Sequence, residues 1–187
     1  MKDKRQHILD TAADLFVREG LNVPTARIAK EAGVANGTLF NYFPTKQELQ
    51  DTLYLESKAE LACLMPEKCE GSLEALFRGL WTNYLRWAVN NPRQHQVVHL
   101  LKASRGVSSE CLAQTENGFQ PILDALHQGM REGSMLPLED DHFEAVLGAL
   151  SQVTIDQASR KQLSGEAVEA AIAQGFGMFW RAVTSPP

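Results

Sequence analysis

Between Thr25 and Lys46 the chain gathers side chains that hydrogen-bond while bringing almost no charge. Thr25, Thr38 and Tyr42 supply hydroxyls, Asn36 and Asn41 supply carboxamides, and Lys46 adds one ammonium at the end. Ala35 and Gly37 lie among them and take up little room. This set suits recognition better than reaction. A carboxamide donates and accepts at once, as the edge of a base demands, while hydroxyls and an ammonium can hold phosphates on either side. A slim, uncharged helical face of this kind fits the major groove of double-stranded DNA.

The elements that must position these residues are short. In "TARIAKEAGVANGTLFNYFPTKQEL", Thr25 can cap a helix through Ala32, which Gly33 stops. Asn36 can cap another through Phe43, before Pro44 breaks the pattern. Thr45 and Glu48 then form a capping box opening a longer helix, expected to reach about Met65 with Pro66 as its stop. Upstream, Lys4 to Glu19 brings Ile8, Leu9, Ala12, Leu15 and Phe16 onto one face and ends at Gly20. Leu39, Phe40 and Phe43, with Val34, are expected to pack on Ile8, Ala12, Phe16 and Ile28. Ala29, Ala32 and Gly33 let two short helices approach at a steep angle. Ala35, Asn36, Gly37, Thr38, Asn41 and Tyr42 are left outward. Helices this short do not stand alone, so a small shared core and the following helix must hold them. The pattern is a helix-turn-helix.

Composition fits one large domain or two small ones: 187 residues, 44% hydrophobic. The charged start "MKDKRQHILD" is unlike a signal peptide, and no run of eighteen apolar residues suggests a membrane span. Cys63, Cys69 and Cys111 show no CxxC spacing and read as reduced cytosolic thiols. The net charge of −5 is uneven along the chain. Residues 1–50 hold seven Lys/Arg and six Asp/Glu, a net of +1; the remainder holds eleven against seventeen, a net of −6. A polyanion-binding surface therefore belongs to the N-terminal segment. Nearly every other segment has helical period, with helices expected near 72–90, 93–104, 109–132, 140–160 and 165–183, separated at Gly and Pro clusters. The expected fold is all-α, about nine helices: a helix-turn-helix domain over 1–47, then a helical bundle over 48–187.

The stretch also resembles the DNA-binding signature of the TetR family of bacterial transcriptional regulators. The resemblance runs through Thr25, Ile28-Ala29, Ala32-Gly33-Val34, Gly37-Thr38-Leu39-Phe40, Tyr42-Phe43, Lys46 and Leu49, over roughly residues 5 to 55. Phe40 stands where that family more often has tyrosine. The resemblance implies a cytoplasmic homodimer, a repressor released from a palindromic operator by a small aromatic or hydrophobic effector. DNA contact would then come from Thr25, Ala35, Asn36, Gly37, Thr38, Asn41, Tyr42 and Lys46.

In the C-terminal body, Phe77, Trp81, Tyr84 and Ala88 share one helical face, with Trp87 at its edge. Such rings can wall a pocket for a flat hydrophobic ligand, or can be plain core. A second likeness, to the RamR-type branch, runs through Tyr54, Lys58 and Leu61, then Trp81, Tyr84, Trp87, Asn91-Pro92 and His95, then "GFGMFWRA". It implies effector contacts at Tyr54, Lys58, Trp81, Glu144 and Leu147, with Leu147 where an aromatic residue is expected. Small residues in the last two helices (Gly148, Ala149, Ala171, Gly175, Gly177) suit close helix approach, in a dimer interface or within one chain.

His95 and His99 are spaced to share a metal, but no third ligand and no catalytic glutamate accompany them, so no metal or cofactor is expected. No nucleophile-elbow, P-loop or dinucleotide motif is present, and no enzymatic activity is expected. The competing reading is a helical small-molecule-binding protein without operator function.

Overall fold

The computed structural model of the chain describes residues 3–62, 71–116 and 120–185. Among these residues there are ten helices: α1 (Lys4–Glu19), α2 (Thr25–Glu31), α3 (Asn36–Tyr42), α4 (Lys46–Ala62), α5 (Leu73–Asn90), α6 (Pro92–Ala103), α7 (Ser109–Glu116), α8 (Gln120–Arg131), α9 (Asp140–Arg160) and α10 (Glu166–Val183). The only extended pairing among them is an isolated bridge between Met135 and Thr184. The single helix expected over 109–132 is described as α7 and α8, with 117–119 outside the described residues. Met65, Pro66, Cys63 and Cys69 also lie outside them.

The chain divides by packing into two compact units, Met1–Glu60 with Asn91–Asn117, and Leu61–Asn90 with Gly118–Pro187. The first unit therefore holds more than residues 1–47: the first part of α4 and all of α6 and α7 join α1–α3 in one core. Ile8, Leu9, Leu15, Phe16, Ile28, Leu39, Leu49 and Leu101 are fully buried there. α1 is straightforward physically. Asp3 caps it by accepting the Arg5 amide, its apolar stripe faces inward, and Gly20 (φ 82°) closes it with a bond to the Phe16 carbonyl.

The second unit is built on aromatic contacts among α5, α9 and α10. Trp81 stacks on Phe179 (centroids 5.3 Å, 14°), and Phe143 meets Phe77 and Phe179 edge-on at 5.7 and 5.8 Å. The Trp81 indole N–H is satisfied by the Ile172 carbonyl at 2.9 Å. A bidentate pair, Arg86 with Glu169 (2.8 and 2.7 Å), ties α5 to α10 on the exposed side. It raises the guanidinium pKa and lowers that of the carboxyl, chiefly through the hydrogen bond itself.

The small residues of α9 and α10 divide into two populations. Gly175 and Ala171 are buried inside the unit, whereas Gly148 and Ala149 face outward. A Cβ on Gly175 would collide with Thr154 Oγ1 and come 3.0 Å from Trp81 Cζ2; one on Gly148 would meet nothing within 4 Å. Gly175 therefore serves close packing within the chain. Gly175→Ala is expected to lower stability by about 1–3 kcal/mol through overpacking. Gly148→Ala should raise it by about 0.5–1 kcal/mol through helix propensity alone. Thermal and urea unfolding of the two variants measure both; equal effects would refute the division.

Candidate nucleic-acid interface

α3 is aimed by the turn that precedes it. α2 ends in a left-handed cap: Gly33 (φ 65°) donates to the Lys30 carbonyl at 3.2 Å, and Val34 donates to the Ala29 carbonyl at 3.0 Å. A Cβ on Gly33 would touch nothing within 4 Å, so glycine is required here by backbone conformation and not by space. Buried Ala29 and Ala32 bring the two helices together, and Leu39 and Phe43 pin α3 to the core.

Two expected caps are corrected. α2 begins at Thr25 with Pro24 in the cap position, and α3 begins at Asn36 with Ala35 there; neither has a side-chain cap bond. Thr25 and Asn36 are first helical residues, which leaves their side chains uncommitted to capping. Thr45 does cap α4, its hydroxyl accepting the Glu48 amide at 3.1 Å.

The outward set is largely as expected. Ala35, Asn36, Gly37, Asn41 and Tyr42 are exposed, while Thr38 and Thr25 are half-buried. Phe40 is the exception. Expected in the core, it is 38% exposed, nearly the same as Tyr42 at 40%. The sequence offered a signal for this: a seven-residue helix has room for few inward positions, and Leu39 and Phe43 fill them.

Electrostatically this face is neutral, with Lys30 exposed at one end and Lys46 half-buried at the other. Glu31, the nearest carboxylate before α3, is drawn toward Arg27 and Arg18, each at 3.7 Å. Lys46 Nζ lies 6.0 Å from the centre of the Phe16 ring, and burial lowers its pKa. Arg5 reaches Glu56 at 2.6 Å and lies over Phe43.

The residues expected to contact an effector fall in both units. Tyr54 is buried in the first, with Lys58 Nζ 5.5 Å over its ring. In the second, Phe77 and Trp81 are buried in the aromatic cluster and Tyr84 stacks on Trp87. Leu147 is partly buried against the core, and Glu144 is exposed on α9. Sequence reasoning missed Ser151. Its hydroxyl, on α9 in this unit, is the one side-chain polar atom among the described residues that is buried without a hydrogen-bond partner.

His95 is buried and stacks on exposed His99 at 6.3 Å, and the described residues hold no cluster of three or more metal-ligating side chains. No described helix is long and apolar enough to cross a membrane.

Comparison with known proteins agrees with this geometry. The family model described as "Bacterial regulatory proteins, tetR family" matches residues 8–53. The crystal structure of a protein assigned to the tetR family of transcription regulators, from Shewanella sp. PV-4, is similar over 99% of this chain and 100% of that one. The TM-score is 0.79 and the identity 30%. The HTH-type transcriptional repressor KstR2 of Mycobacterium tuberculosis is 26% identical over 144 residues, 73% of this chain and 72% of that protein. The fatty acid metabolism regulator protein of Bacillus subtilis is 34% identical over 71 residues, a match spanning 37% of its length.

One titratable group in the core of the first unit is set apart from chemistry. Burial first, and the Asp51 carboxylate second, push the Cys111 thiol up to about 11. The group stays protonated in the folded chain while the unfolded one ionises, so its stabilising contribution is full below about pH 9 and is lost as pH rises toward about 11. Near pH 8, iodoacetamide should modify Cys111 about a hundredfold more slowly in the folded chain than in urea, since only the thiolate reacts. Mass spectrometry of the Cys111 peptide reads the two rates, and equal rates would contradict the burial.

Proposed function

Because the chain belongs to the tetR family of bacterial regulatory proteins, we propose that it is a homodimeric repressor that leaves a palindromic operator when a small hydrophobic or aromatic effector binds. The observation that carries the DNA-reading part is the exposed, uncharged face of α3, held on a rigid turn. Asn36 and Asn41 read base edges, Ala35 and Gly37 keep the face thin, and Thr25, Thr38, Tyr42 and Lys46 hold phosphates. Phe40 joins this face as an apolar contact suited to a thymine methyl group. In this reading, residues 1–47 carry the DNA contacts and 48–187 carry effector binding and dimerisation.

Dimerisation uses the outer faces of α9 and α10. Ala149 and Val153 on α9, with Ala170 and Met178 on α10, are exposed and small or apolar, and Val153 is 52% exposed. Two copies related by a two-fold axis bury such faces, and a palindromic operator then asks for two α3 helices about one DNA turn, roughly 34 Å, apart.

The effector contacts fall in two groups, Tyr54 with Lys58, and Phe77, Trp81, Tyr84, Glu144 and Leu147. The Trp81 N–H already has its partner, so Trp81 offers an effector ring surface alone, while the Ser151 hydroxyl can supply a hydrogen bond. The likeness to the RamR-type branch favours aromatic drugs or bile acids as effectors.

The test begins with a duplex that the wild-type protein selects from a random-sequence library. Asn41→Ala should weaken binding by about 1–3 kcal/mol at particular base pairs only. Lys46→Ala should weaken all duplexes alike and reduce the salt slope by about one unit. Replacing thymines one at a time by deoxyuridine should reveal a position where the wild type loses affinity and Phe40→Ala does not. Uniform losses throughout would remove the base-reading role from α3.

The dimer has its own measurement. Val153→Glu combined with Met178→Glu should shift sedimentation from dimer to monomer, because a buried unpaired carboxylate is strongly disfavoured. A dimer unaffected by both charges would place the interface elsewhere.

A further inference from the structure

The turn joining α6 to α7 is gripped by two segments that bracket α2 and α3 in the sequence. On one side stands the beginning of α4. The Gln47 side-chain amide donates to the Asp51 carboxylate and to the Gly106 carbonyl, both at 3.0 Å. Asp51 Oδ1 also accepts the Ser108 backbone N–H at 2.9 Å. Ser108 in turn opens α7, its hydroxyl accepting the Cys111 amide at 3.2 Å, and the Cys111 thiol points back at the Asp51 carbonyl at 3.8 Å.

On the other side stands the connection between α1 and α2. Gly106 lies so close to Leu21 that a Cβ there would sit 2.6 Å from its Cδ1 and 3.2 Å from Leu101 Cδ2. The turn itself has one fixed shape. Gly106 donates to the Leu101 carbonyl at 2.8 Å and Arg105 to that of Lys102 at 3.2 Å, which places Arg105 in the left-handed region at φ 51°. A residue other than glycine stays in that region only where its surroundings hold it.

Leu21 lies in the connection before α2, and Gln47 and Asp51 lie in the first two turns of α4, the helix that follows α3. One turn therefore touches both flanks of the reading pair. We propose that Asp51, assisted by Gln47, is a positioning residue for DNA reading. It holds the 104–108 turn as a wedge between the α1–α2 connection and α4, and so fixes the angle at which α3 is presented. Asp51 lies outside the proposed DNA face and acts only through the turn. The inference rests on the DNA-reading function proposed above. Groove recognition tolerates little displacement, because contacts misplaced by about 0.5 Å or 10–20° cease to be productive.

The test uses full-length Asp51→Ala and Asp51→Asn with the duplex selected by the wild type, at a temperature where all variants are folded by circular dichroism. Asp51→Ala should lose about tenfold in affinity, the equivalent of one misplaced base contact. Asn keeps an oxygen able to accept the Ser108 amide, so Asp51→Asn should stay within about threefold. Hydrogen exchange should quicken at Ser108 and in the 21–24 connection for Asp51→Ala. Gly106→Val attacks the wedge from the Leu21 side and should reproduce the affinity loss, which covers the event that Asp51→Ala fails to fold. The inference is overturned if Asp51→Ala exchanges faster at Ser108 and melts lower yet binds within about twofold of the wild type, since Asp51 is then a cap and nothing more. It is overturned equally if Ser108 exchange is unchanged. A wild-type protein that selects no duplex removes the DNA-reading function itself, a result distinct from either.

Discussion

The left-handed turn at Gly33 is the constraint on which the arrangement of the first unit depends. α2 and α3 are seven residues each, too short to hold their own conformation, so their mutual angle cannot come from helix stability. It comes from two backbone bonds that close α2 and from one residue free to take φ 65°. Once that angle is set, Leu39 and Phe43 reach the core laid down by α1, and every other side chain of α3 is directed sideways or outward. The chemistry of the exposed face follows from the turn.

Charge is arranged to the same end. The chain is acidic overall, and that excess lies beyond residue 50. Two carboxylates of the first unit are engaged, with Glu31 near two arginines and Glu56 bonded to Arg5, while Glu48 is exposed near the start of α4. Exposed pairs of this sort contribute little to stability. Their effect is on the local field, since a paired carboxylate repels a nearby phosphate less than a free one.

The long elements were legible because period is a strong signal. The stripe from Ile8 to Phe16 announced α1, and the small residues about Gly33 announced the turn between two helices. What was misread has local causes. Thr25 and Asn36 are good capping residues by type, yet a cap is fixed by where the backbone turns, and Pro24 and Ala35 occupy those places. At about 100° per residue, Phe40 and Tyr42 stand about 80° to either side of the line between Leu39 and Phe43. Both are therefore half out, and apolar character alone could not show it. Composition likewise could not separate Gly175 from Gly148, one against Trp81 and the other facing outward, because both are glycines on one helical pair. The grip of Gln47 and Asp51 on a turn more than fifty residues away left no mark in the pattern. Nor did the unpartnered Ser151 hydroxyl, since both depend on tertiary placement.

The division of labour within α3 has an evolutionary consequence. The side chains that hold the helix in place, Leu39 and Phe43, are buried, whereas Asn36, Gly37, Phe40 and Asn41 carry little of the packing. If α3 reads DNA as proposed, substitutions at those exposed positions alter what the helix recognises while leaving the scaffold nearly as stable as before. A gene duplicate could drift to a new binding sequence through a series of folded intermediates, with selection on folding and selection on targets falling on different codons of the same seven-residue helix.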